Sequence, residues 1–148
     1  MVTRYKGTKR EMLALDTFVK LLRAGETISG DVHRALKAEN LTVSQFGVLE
    51  ALYHIGPMCQ RDLAEKILKS TGNITTVIDN LEKRQLVVRN RDMKDRRFFR
   101  IALTEKGEKR IRAIFPDHAE RIEKRMATLT SAEKKTLGRL CKKLSGIQ

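Results

Sequence analysis

Tryptophan is absent from this 148-residue chain, and tyrosine, phenylalanine, cysteine and proline are all scarce. Two cysteines, Cys59 and Cys141, are too few for a disulfide-built scaffold. The N-terminal MVTRYKGTKR lacks the apolar core of a secretion signal, and no apolar run approaches the length of a membrane span. The chain is therefore expected in the cytoplasm, with no membrane partner. The three histidines, His33, His54 and His118, are scattered, with no metal-ligand spacing among them or with the cysteines. No Ser/His/Asp or Cys/His set stands out. These absences argue against an enzyme, a metal site and a bound cofactor. Acidic residues are also in deficit, with 18 against 31 basic ones and a formal charge of +13. That balance points to a polyanionic partner, most often nucleic acid. The excess is not a tail: it amounts to +2 in residues 1–58, +5 in 59–104 and +6 in 105–148.

The length suits a single domain over residues 1–148. Residues 8–38 carry a helical stripe, with Met12, Leu15, Val19 and Leu22 followed by Ile28, Val32, Ala35 and Leu36. Gly25 and Gly30 interrupt it and predict a bend or a close helix–helix approach. Leu41–Gly56 is the next helix, opened by a Thr42/Gln45 capping box and closed by Gly56-Pro57. After residue 104 a helix runs to about residue 129, and Pro116 predicts a kink or break in it. A second capping box, Thr130 with Glu133, opens a last helix with Leu137, Leu140, Cys141 and Leu144 apolar. These outer stripes need a partner to cover them. A second copy across a two-fold axis would do so and would place two copies of the central segment about one DNA turn apart.

The central segment, Cys59–Gly107, carries the functional signal. Gln60–Leu68 is a short helix with Leu63, Ala64, Ile67 and Leu68 on one face. Ser70 caps a second helix, reaching Arg84, in which Ile74, Val77, Ile78 and Leu81 point one way. Gly72, Thr76, Asn80 and Lys83 fall on the opposite face, with Thr71, Asn73 and Thr75 at the first turn. Such a small, polar, largely uncharged face is either an ordinary solvated one or a surface whose hydroxyls and amides meet base edges in a major groove. The stretch that follows favours DNA. Val87–Arg91 and Phe98–Leu103 read as strands, and the hairpin they form holds five arginines and one lysine. An arginine at its tip can enter a narrow minor groove, and Asp95 beside Arg96 and Arg97 can orient a guanidinium through a bidentate contact. The fold expected is mainly α with a small β-hairpin wing (α+β). A winged helix-turn-helix core spans about residues 41–104, with dimerisation helices at about 8–38 and 105–146.

At these residues the chain resembles the multiple-antibiotic-resistance regulator (MarR) family. The resemblance rests on LTVSQFGVLEAL, LAEKI, TTVIDNLEKR, the DMKDRR tip and the LTEKG exit. It implies a homodimeric, sequence-specific transcriptional regulator, a repressor on a pseudo-palindromic double-stranded operator. Release would follow binding of a small phenolic or aromatic effector, or cysteine oxidation. Ser70, Thr71, Asn73, Thr75, Thr76 and Asn80 would lie at the major groove. Lys83, Arg89 and Lys94 would meet phosphates, and Arg96 and Arg97 the minor groove or its phosphates, with Asp95 as orienter. Effector-pocket candidates are Phe18, Leu22, Phe46, Leu49, Tyr53 and His54. The sequence departs from the family twice: Cys59 stands where Ser or Thr often caps a helix and is a candidate redox sensor, and Gln85 stands where glycine is usual, which demands a left-handed residue or a different turn. Charge alone also fits a sequence-neutral architectural DNA- or RNA-binding protein.

Overall fold

A computed structural model describes residues 5–67 and 71–146. In chain order its elements are α1 (Lys9–Ala38), α2 (Val43–Ile55), β1 (Met58–Cys59), α3 (Gln60–Lys66), α4 (Thr71–Lys83), β2 (Val87–Arg91), β3 (Phe99–Leu103), α5 (Glu105–Met126) and α6 (Ser131–Ser145). The chain divides into two compact units, Met1–Ile28 with Asp117–Gln148, and Ser29–Pro116. The division falls inside α1 and α5 rather than at their ends.

The Ser29–Pro116 unit holds the core. Val48, Leu49, Leu63, Ile74, Ile78, Leu81, Ile101 and Ile111 are fully buried in it. They come from α2, α3, α4, β3 and α5, and Leu36 of α1, Met58 of β1 and Val87 of β2 join them in one apolar cluster. At roughly 1.5–3 kcal/mol for each large apolar side chain removed from water, this cluster is the unit's main source of stability. The sheet is antiparallel in the order β1-β3-β2. β2 and β3 pair from Val87↔Leu103 at the stem to Arg91↔Phe99 near the tip. The β3 face that carries Phe99, Ile101 and Leu103 is buried only toward its stem: Ile101 is fully covered, Leu103 half-covered and Phe99 exposed. β1 is a two-residue strand, with Met58 opposite Ile101 and Cys59 opposite Arg100.

The predicted capping boxes form. Gln45 N–H donates to Thr42 Oγ1 at 3.1 Å and Thr42 N–H donates to Gln45 Oε1 at 3.1 Å. Thr130 and Glu133 do the same for α6. Both long helices are continuous. α1 runs unbroken through Gly25 and Gly30, and a methyl group at Gly25 would meet nothing within 4 Å, so no close packing within the chain demands that glycine. α5 likewise continues through Pro116. A proline there removes one backbone donor, and the flanking helical bonds hold the helix together despite it.

α4 ends in a Schellman turn. Leu86 N–H donates to Leu81 carbonyl oxygen at 2.9 Å and Gln85 N–H to that of Glu82 at 2.8 Å. Gln85 has φ of +61°, the left-handed conformation foreseen for this position. α1 ends the same way, with Asn40 at φ +57° and Leu41 N–H donating to Leu36 carbonyl oxygen at 3.0 Å. The exit from the hairpin closes over the first of these turns. Thr104 donates through N–H to Leu86 carbonyl oxygen (3.1 Å) and through Oγ1–H to that of Gln85 (2.6 Å). Its Oγ1 also accepts from Gly107 N–H at 3.0 Å, capping α5. A Cβ on Gly107 would lie 1.9 Å from Leu86 carbonyl oxygen, so only glycine fits.

The other unit, made of the first part of α1, the last part of α5 and α6, has no buried side chain among its described residues. Leu13, Phe18, Leu22, Leu140 and Leu144 are all exposed.

Candidate DNA-binding surface

α4 separates its two faces as its sequence requires. Ile74, Ile78 and Leu81 are fully buried, while Asn73, Thr75, Thr76, Asn80 and Lys83 are exposed. The apolar stripe anchors the helix to α2 and α3 and leaves the short hydroxyl and amide side chains outward. Thr71 opens the helix, and only its backbone is described; Ser70 lies outside the described residues.

The wing is ordered by its carboxylates. Asp92 Oδ1 accepts from the backbone N–H of Lys94 (2.7 Å) and of Asp95 (3.1 Å), which shapes the turn. These two bonds, Lys94 first, hold the Asp92 carboxyl below its usual pKa, with Arg100 helping. Asp95 takes a bidentate contact from Arg97, Nε to Oδ1 at 3.0 Å and Nη2 to Oδ2 at 2.8 Å. That pair lowers the Asp95 pKa and raises that of Arg97. The residue oriented by Asp95 is thus Arg97, not Arg96. Two arginines also lie over rings, Arg91 at 5.4 Å from the Phe99 centroid and Arg97 at 6.0 Å from that of Phe98. Lys94 and Arg96 are exposed beside them. The tip therefore presents three cations, one of them held in a fixed direction.

Arg89 has a different setting from the other basic residues. Its side chain is only 21% exposed and pairs with Asp79 at 2.5 Å and with Glu82. Both carboxylates sit on α4, so Arg89 ties β2 to the helix rather than standing free for a phosphate. Arg100 ties the wing base to the end of α2, donating to Pro57 carbonyl oxygen at 2.6 Å. Sequence reasoning missed Arg100, as it missed Gln60, whose Nε2 donates to Thr75 Oγ1 at 2.5 Å. Both contacts join residues far apart in the chain, which no local pattern announces. Cys59 is the N-cap of α3, in extended conformation and with no side-chain capping bond. It is half-buried, in a groove of about 460 Å3 shared with Gln60, Arg97, Phe98 and Arg100.

The effector-pocket candidates do not act together within the Ser29–Pro116 unit. Phe46 and Leu49 are 3% and 0% exposed and belong to the buried core of that unit. Tyr53 and His54 line a cavity of about 680 Å3, with Leu103 and the Glu108–Arg112 ion pair. Phe115 packs against His54, ring centroids 4.7 Å apart. Phe18 and Leu22 belong to the other unit and are exposed. Among the described residues no cluster of three or more His, Cys, Asp or Glu is placed to hold a metal ion. Among the described residues, too, no helix is long and apolar enough to cross a membrane.

A buried-faced helix with a polar outer side, followed by a cationic hairpin, is the layout of a winged helix-turn-helix. The MarR family model matches residues 41–98, which take in α2 through most of the wing. Over 120 residues the chain is 36% identical to the HTH-type transcriptional regulator MhqR of Bacillus subtilis (strain 168), covering 81% of this chain and 83% of that protein. The chain belongs to the MarR family. It is accordingly a DNA-binding protein of transcription regulation. The fold agrees with solved MarR structures: AbsC of Streptomyces coelicolor superposes with a TM-score of 0.84, covering 97% of both chains at 24% identity. BpsR of Bordetella bronchiseptica, whose DNA binding is regulated by 6-hydroxynicotinic acid, matches with a TM-score of 0.78 at 25% identity, over 88% of this chain and 98% of that one. In this winged-helix fold α4 is the second helix of the helix-turn-helix and β2–β3 form the wing.

Proposed function

We propose that this MarR-family chain is a homodimeric, sequence-specific repressor of a pseudo-palindromic operator. The observation that carries the reading is the pairing of an uncharged polar face on α4 with an arginine already oriented at the wing tip. A protein that held DNA by charge alone would have no need of Asn73, Thr75, Thr76 and Asn80 as its outward residues. In this reading those residues, with Ser70 and Thr71, meet bases. Arg97 and Arg96 enter the minor groove, and Lys83 and Lys94 contact phosphates. The exposed apolar residues of α1 and α6 support a dimer, since a second copy would remove them from water.

Release of the operator follows a small aromatic effector or oxidation of Cys59. The effector route draws support from BpsR, whose DNA binding is regulated by 6-hydroxynicotinic acid, a hydroxylated aromatic acid, and from the cavity beside Tyr53 and His54. The oxidation route draws support from the position of Cys59 in the groove beside Arg97. A gel shift on the DNA upstream of the chain's own gene tests the whole. Binding should be specific over random DNA and should weaken steeply with salt, by roughly 0.9 log units per neutralised phosphate per log unit of salt. Equal affinity for random DNA at physiological salt would replace the repressor with a sequence-neutral binder. Phenolic and aromatic acids, and peroxide on wild type against Cys59→Ser, then separate the two routes of release.

A further inference from the structure

Resting on that reading of α4, we infer that Gln60 is a positioning residue for base selection, acting through Thr75. Gln60 is the first residue of α3 and Thr75 stands on the exposed face of α4, so their bond of 2.5 Å from Nε2 to Oγ1 crosses between the two helices. A threonine in a helix divides between two χ1 rotamers, which place its hydroxyl and its methyl group differently. The two groups suit different base edges. The methyl packs on the thymine C5-methyl, whereas the hydroxyl bonds to an acceptor or donor on a purine or cytosine edge. A donor fixed on the α3 side holds Oγ1 toward α3 and so fixes where the methyl stands. Gln60 thereby decides which end of Thr75 a base meets, without touching the base itself.

Three features make this contact suited to the task. Gln60 is half-buried, so its amide loses less freedom on forming the bond than a fully exposed one would. α3 is anchored by the buried Leu63 and Ala64, so the donor sits on a fixed support. α4 is anchored independently through Ile74 and Ile78, which leaves the Thr75 side chain, rather than the helix, as the part that Gln60 sets.

The test is selection from a random double-stranded DNA library with the full-length protein. Wild type, Gln60→Met, Thr75→Val, the double variant and Thr76→Val are compared, with thermal melts as a check on folding. Methionine keeps the length of glutamine and removes its donor. Gln60→Met is expected to broaden base preference at the position that Thr75→Val also alters, by roughly fivefold in discrimination. It should leave the position read by Thr76 unchanged, and in the Thr75→Val background it should add nothing. If Gln60→Met instead weakens all sequences alike, with the base preferences and the salt slope both unchanged, Gln60 is a neutral backbone contact and the inference is overturned. Preference as sharp as that of wild type would overturn it as well. Should wild type itself enrich no sequence, the repressor reading fails first and this inference fails with it.

Discussion

Replacing Gln85 with glycine should make the protein more stable. A left-handed conformation costs an L-residue roughly 1–2 kcal/mol, and Gln85 adopts it at φ +61°. Its side chain is exposed and makes no hydrogen bond or ion pair among the described residues, so its removal breaks no polar contact. The turn itself is held by main-chain groups, Gln85 N–H to Glu82 carbonyl oxygen and Gln85 carbonyl oxygen from Thr104 Oγ1, and glycine keeps both. Against the gain stands the wider freedom of glycine in the unfolded chain, worth about 0.4–1 kcal/mol. Taking the middle of both ranges, the net gain is about 0.8 kcal/mol, which for a chain of this length raises Tm by roughly 2–3 °C. Asn40→Gly supplies the control. Asn40 occupies the equivalent place at the end of α1 with nearly the same φ, but asparagine visits that region readily and should show little change. Melting both variants at one protein concentration makes the comparison clean, because association shifts Tm. A Gln85→Gly midpoint at or below that of wild type, or no higher than that of Asn40→Gly, would refute the argument from strain.

Other outcomes follow from the same geometry. Gly107→Ala forces a Cβ against Leu86 carbonyl oxygen and should cost about 2–3 kcal/mol or more in urea unfolding; an unchanged midpoint would mean that the α5 start yields freely. Cys59→Ser supplies the side-chain cap that α3 lacks and should add up to about 1 kcal/mol, read as a rise in Tm. Asp95→Asn leaves Arg97 in place but removes its bidentate partner, and should weaken operator binding while the salt slope stays that of wild type, as titrations at several salt concentrations would reveal. The depressed pKa values of Asp92 and Asp95 mean that their contribution to wing order is complete above the ordinary aspartate range. It is lost as pH falls through their lower folded values, below about pH 4. NMR of the Phe98 and Phe99 rings would report that loss.

Much of this layout was legible from residue patterns, and the reasons differ by element. The buried side of α4 and the bounds of β2 were readable because periods of 3.6 and 2 are local properties. Thr42 and Thr130 were readable as caps because their partners lie three residues on. The glycine of LTEKG was recognisable as a motif, but its cause, the backbone of Leu86 against the α5 start, belongs to tertiary structure. β1 escaped notice because two residues cannot show alternation. Phe46 and Leu49 prove to be buried in the core, which the sequence could not announce because an apolar stripe looks the same whether it faces a cavity or a core. Arg89 looked like any other wing cation until Asp79 and Glu82 were placed beside it, and Gln60 gave no signal at all, since its partner lies fifteen residues away.

Closure of the hairpin at its stem has a consequence for how such regulators diversify. Thr104 joins the outgoing strand to Leu86 and Gln85 at the point where the ingoing strand begins, so the wing is an excursion that leaves and returns through one clasp. Met93 at its far end is 98% exposed, and residues added there would not disturb the core. Each residue added to both strands lengthens the excursion by about 3.3 Å, close to the rise of one base pair. Wings of different reach could therefore be grafted above the same clasp, and operator length could drift in evolution while α4 stays as it is.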